Sequence, residues 1–313
     1  MKRAVRAAVE GLRAAFRCRR VLLALALVNL AMALAVVVPI GRAWNSVMGH
    51  QFDSAALAQQ WDWALGGDLA RSFPGMAGRG AGVLAATVFF SWVLGAFVAG
   101  GWLEIFHAYE GRPGLRRFCT GAGSTYGRFL RLGVVNLIAF ALVGWMLRGG
   151  GWDMFQAFWW GSQDKADLNT EWMAEGLSWL QSAAYLGAIS AVLVASDLAK
   201  VGCIVRGGRS MVAAFVRGLR IASVHPGRAF GVVWTIYAIE IGVAWVMARV
   251  WISLSPAAVS WWGILALFVL AQIWMMLRCG LRGARLAGLY RIWQDAQPTA
   301  TPVPVTYTGE AGQ

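Results

Sequence analysis

The sequence predicts an all-α, polytopic transmembrane bundle of six spans with both termini on the cytoplasmic side. Three observations carry this. Hydrophobic residues make up 58% of the 313 positions and charged residues 14%, whereas a soluble domain has about 25% charged residues. Apolar runs of about 20 residues recur, the length that crosses a hydrocarbon core. Basic residues gather at alternate ends of these runs, as retention on the cytoplasmic side requires.

The first 20 residues form a basic cytoplasmic segment, with seven Lys or Arg against one acid, Glu10. Ala4, Val5, Ala8, Leu12, Ala15 and Phe16 make a weak amphipathic stripe. An interfacial helix on anionic lipid and a flexible basic leader both fit. Residues 21–40 carry no charge. This run is longer than the roughly 7–15 residues of a signal-peptide core, and it predicts an uncleaved first span. Residues 41–80 read as a mixed loop in which 54–65 suit a short surface helix. The second span is 81–103 and the third 129–147, with Arg131 placed to snorkel. The glycines 149–151 break the helix. An acidic, Trp-rich loop follows, with Trp152, Trp159, Trp160 and Trp172. The fourth span is 177–201, the fifth 229–248 and the sixth 257–277. Residues 278–295 complete the transmembrane domain, with Arg278, Arg282, Arg285 and Arg291 on the cytoplasmic side. The Thr- and Pro-rich tail, 296–313, reads as disordered.

Of the 28 Lys and Arg, 22 fall in the N-terminal segment, the 2–3 loop, the 4–5 loop and the C-terminal segment. This places the chain in the bacterial cytoplasmic (inner) membrane with both termini inside. The Trp-rich loops then face outward, where indole rings anchor at the membrane–water boundary. The formal charge of +13 is explained by orientation. No nucleic-acid recognition motif accompanies it.

No catalytic or cofactor motif emerges. The four cysteines, Cys18, Cys119, Cys203 and Cys279, lie near cytoplasmic ends, where reduction keeps disulfides rare. They share no metal-ligand spacing with His107 or His225. The glycines of residues 121–127 are spaced G-x-G-x-x-x-G without a preceding strand, so a phosphate loop is not indicated. A flexible entry to the third span is the expectation there.

Polar residues within spans are the candidate functional set: Glu240, Asp197, Lys200, Asn29 and Asn136, with Gln272. Glu240 is about 11 residues into the fifth span, roughly 16 Å deep at about 1.5 Å per residue. A charge at that depth costs on the order of 2.5–3.5 kcal/mol and marks a functional candidate. It reads either as a structural acid or as a proton carrier. Tyr237, one turn away, and Asn136 on the third span are its expected neighbours. Asp197 and Lys200, spaced i, i+3, are placed to pair. Interhelical hydrogen bonding is the ordinary role of the Asn and Gln residues. In the 4–5 segment, a helix over 207–222 would put Arg209, Arg217 and Arg220 against anionic lipid headgroups. A plain basic loop is the alternative.

The run Phe118-Cys-Thr-Gly121, with Tyr126-Gly-Arg128-Phe-Leu-Arg131-Leu, Asp197-Leu-Ala199, Arg217-Gly-Leu-Arg220 and His225-Pro226, carries a resemblance over residues 80–250. The chain resembles poorly characterised bacterial six-span membrane proteins, which are similar to the membrane domain attached to some glycerophosphodiester phosphodiesterases. The resemblance implies a six-helix bundle with a cytoplasmic 4–5 segment. It implies no activity, because no soluble phosphodiesterase domain is present.

Three functional readings follow, in descending order. The first is a non-enzymatic structural or accessory protein of the envelope. The second is a proton- or solute-coupled transporter using Glu240. The third is a lipid-modifying membrane enzyme, for which no nucleophile and base converge. Anionic lipids are the expected partners, and membrane proteins or further copies of the chain are open as others.

Overall fold

The computed structural model describes residues 2–48, 74–107, 114–161, 171–208, 210–254 and 260–295. Among these residues there are nine helices and no strand: α1 (Lys2–Arg17), α2 (Arg19–Met48), α3 (Pro74–His107), α4 (Leu115–Arg148), α5 (Gly150–Trp160), α6 (Glu171–Arg206), α7 (Met211–Val224), α8 (Pro226–Leu254) and α9 (Trp261–Asp295). Five stretches are long and apolar enough to cross a membrane. The pair α1–α2, bent by 76° at Cys18, makes a sixth candidate. The six expected apolar segments fall within α2, α3, α4, α6, α8 and α9, apart from the start of the last. The expected surface helix at 54–65, Arg209 and the tail lie outside the described residues.

The long helices exceed what a bilayer needs. α9 has 35 residues, about 52 Å at about 1.5 Å per residue, against a hydrocarbon core of about 30 Å. Burial divides it into two halves. Trp261, Trp262, Ile264, Phe268 and Ile273 are exposed, whereas Leu281, Leu286, Leu289, Ile292 and Trp293 are buried. The division recurs on α6, exposed at Trp172, Trp179 and Leu186 and buried from Val192 to Cys203. On α8, Ala229, Val232, Val233 and Ile236 are buried and Ile241, Trp245 and Ile252 exposed. Lipid tails are as apolar as these side chains, so helices within hydrocarbon gain little by hiding them. Where helices leave the hydrocarbon, apolar surface must be buried against protein.

The packed half is organised around α9, which touches α1, α2, α3, α6 and α8. Close approach comes from small residues. Gly280, Ala284 and Gly288 are four apart on one face of α9. Opposite them stand Ala7, Gly11 and Phe16 of α1. A Cβ on Gly11 would lie 2.5 Å from the Ala284 carbonyl oxygen, and one on Gly280 would lie 2.7 Å from the Phe16 ring. This is small-residue packing of the G-x-x-x-G kind. Glu10 is paired with Arg291 at the far end of the same contact. The N-terminal segment is thus a docked helix, neither a flexible leader nor one lying on lipid alone.

One further expectation changes. The glycines of 121–127 are helical within α4, not a flexible entry, and Gly121 lies against Glu104 of α3. Trp102 bridges the two helices, stacked on Phe106 at 5.7 Å and edge-on to Phe118 at 6.0 Å. The basic residues after 277 lie on α9, which continues without a break to Asp295.

Candidate functional site: an ion-pair network on the inner face of α9

Arg278, Arg282 and Arg285 are four and three residues apart, so they share one face of α9. That face is set off from the Gly280–Ala284–Gly288 face that receives α1. It meets Asp197 and Lys200 of α6, and Tyr237 and Glu240 of α8, each pair spaced three apart on its helix. Gly95 of α3 closes the ring.

Asp197 is the centre. Its Oδ2 lies 2.7 Å from Arg285 Nε. Its Oδ1 accepts a hydrogen bond from Lys200 Nζ at 2.7 Å. The Asp197, Arg285 and Lys200 side chains are 4%, 13% and 15% exposed. Arg285 Nη1 also donates to the Tyr237 hydroxyl at 2.5 Å, and its guanidinium carbon stands 5.1 Å from the Tyr237 ring centre. Two cations and one phenol thus converge where water is nearly excluded. A buried carboxylate needs such partners, since removing one leaves an uncompensated charge.

Glu240 belongs to the edge of the same network. Its Oε1 accepts from Arg278 Nε at 3.0 Å, and the two side chains are 21% and 60% exposed. The expected neighbours of Glu240 are placed differently. The Tyr237 hydroxyl accepts from Arg285. Asn136 Nδ2 donates to Ser196 Oγ at 2.7 Å, which turns it towards α6 and away from α8. Asn29 Nδ2 donates to Leu25 O at 3.0 Å and reaches Cys279 Sγ on α9 at 3.5 Å. Both asparagines therefore make interhelical contacts.

The structure brings together Asp197, Lys200 and Glu240 and leaves Asn29 and Asn136 on its periphery. Arg217 and Arg220 are apart from it on α7, whose buried face is Met211, Ala214, Gly218 and Ala222. Arg217 Nε donates to Ala213 O of its own helix, and Arg220 is exposed. The residues that the sequence reading missed are Arg278, Arg282 and Arg285. Their spacing of four and three, with glycine and alanine on another face of the same stretch, was the available signal.

Among the described residues, no group of three His, Cys, Asp or Glu side chains is placed to hold a metal ion. His107 Nδ1 lies 3.0 Å from the Tyr290 hydroxyl, on the α3–α9 contact. The chemistry of the network is electrostatic: it fixes helices to one another and presents positive charge. No protein-family model, curated protein or solved structure matches the chain.

Proposed function

We propose that this chain is a six-span protein of the bacterial inner membrane, with both termini cytoplasmic and a structural or accessory role. One observation carries the reading: both acids of the network are engaged in tying helices together. Asp197 is held by Lys200 and Arg285, and Glu240 is held by Arg278. An acid that carries protons across a membrane must exchange between two environments. Glu240 in its pair with Arg278 instead joins α8 to α9. Docking of α1 against the basic half of α9 supports a common, cytoplasmic location for both ends.

The test has two parts. Reporter fusions after residue 60, at Asp164 and at the C-terminus are expected to place the first two outside and the last inside; an external C-terminus refutes the topology. Proteoliposomes under an imposed pH gradient are expected to lose it at the same rate with wild-type protein as with Glu240→Gln. Faster loss with the wild type would establish the transporter reading in place of this one.

A further inference from the structure

The charges on the inner face of α9 do not balance. Among the described residues, Lys200, Arg278, Arg282 and Arg285 stand with two carboxylates, Asp197 and Glu240. Asp197 is taken up by Lys200 and Arg285, and Glu240 by Arg278. Arg282 has no carboxylate partner among the described residues. Its Nη2 makes one long hydrogen bond, 3.4 Å, to the carbonyl of Gly95. Gly95 itself is buried, yet the Arg282 side chain is exposed. The guanidinium therefore packs against Gly95 of α3 while part of the Arg282 side chain stays open at the surface of the bundle. Arg278, one turn earlier on the same face, is 60% exposed.

Depth decides what this exposed face meets. Trp261 and Trp262, exposed at the start of α9, suit one membrane interface. Arg278 and Arg282 follow Trp261 by about 26 and 32 Å along the helix, at about 1.5 Å per residue. A hydrocarbon core is about 30 Å thick. The two guanidinium groups thus stand at the level of the opposite headgroup layer, where phosphates lie. A planar guanidinium fork matches phosphate oxygens two at a time.

We infer that Arg282, with Arg278 beside it, forms a binding site for a phosphate-type anion, delivered either by a phospholipid headgroup or as free phosphate. The site is separate from the arginines of α1 and α7, which lie on other helices. Filling it would balance part of the excess positive charge left after Asp197 and Glu240 are used.

The experiment uses the full chain and two probes. Inorganic phosphate is titrated into delipidated protein in a non-ionic detergent, and phosphatidylglycerol is titrated into phosphatidylcholine nanodiscs holding the protein. Tryptophan-fluorescence melting reports binding in both. Arg282→Gln is expected to weaken binding of one probe by about tenfold, the scale of a hydrogen bond to a charged group. Arg13→Gln, which removes one exposed positive charge from α1, is expected to leave that binding within twofold of wild type. An effect confined to the nanodisc arm assigns the site to a lipid headgroup, and one in the phosphate arm assigns it to a soluble anion. Arg282→Gln binding both probes like the wild type overturns the inference, as does an equal effect of Arg13→Gln. Should Arg282→Gln fail to fold, Arg282→Lys replaces it, keeping the charge and losing the fork. Weakened binding then supports the site, and unchanged binding overturns it.

Discussion

Arg285 of α9 and Asp197 of α6 meet at 2.7 Å in the most enclosed part of the network, where their side chains are 13% and 4% exposed. Lys200 reaches the other oxygen of the same carboxylate, and Tyr237 of α8 accepts from Arg285. One carboxylate therefore brings three helices into register. Apolar packing is non-directional, and small residues alone do not fix which turn of α6 faces which turn of α9.

Glu240→Gln is expected to lower the melting temperature less than Asp197→Asn does. The Glu240–Arg278 pair has one partner 60% exposed, and pairs open to solvent contribute about 0–1 kcal/mol. Thermal melting of both variants in one detergent checks the order. A larger loss from Glu240→Gln would place the centre of the network on α8.

Ala284→Leu is expected to dislodge α1 from α9. Gly11 approaches the Ala284 backbone so closely that even a Cβ on that glycine would lie 2.5 Å from the carbonyl oxygen. Added bulk in such a contact costs about 1–3 kcal/mol. Cys18, buried at the α1–α2 junction, should then become reactive. In a Cys119→Ser background, labelling by a membrane-impermeant maleimide at Cys18 is expected to rise in Ala284→Leu and not in Arg13→Gln. Unchanged labelling would mean that α1 is held elsewhere.

Asn136→Ala is expected to be nearly neutral. The Nδ2 bond to Ser196 is lost, worth about 0.6 kcal/mol for an interhelical bond in a membrane. Its buried Oδ1, which has no partner among the described residues, is removed at the same time. A loss in melting stability comparable to that of Asp197→Asn would show that Asn136 belongs to the network after all.

Much of this was legible in the sequence. The apolar runs gave helices long enough to cross a membrane, because hydrophobic length is a local property. The Lys200–Asp197 pair was legible for the same reason, being one turn apart on one helix. The partner of Glu240 was not. Arg278 stands where composition turns from apolar to basic, and that change reads as the exit from a membrane although α9 continues to Asp295. The role of α1 was half legible: its apolar stripe was visible, but its partner face, Gly280–Ala284–Gly288, is recognised only once α9 is seen to extend past 277. Asn136 was expected near Glu240 because facing spans were assumed. The actual neighbours, set by packing of α4 on α6, put Ser196 in its place.

The central claim is that the Asp197–Arg285 pair holds α6 to α9. A double-mutant cycle on thermal or denaturant unfolding in detergent tests it most directly. Asp197→Asn and Arg285→Gln are each expected to cost about 3–5 kcal/mol, because each leaves a buried charge without its partner. The double variant should cost less than the sum of the two by at least about 1 kcal/mol, the coupling expected of groups in direct contact. Strictly additive losses, or single variants within about 0.5 kcal/mol of the wild type, would contradict the account.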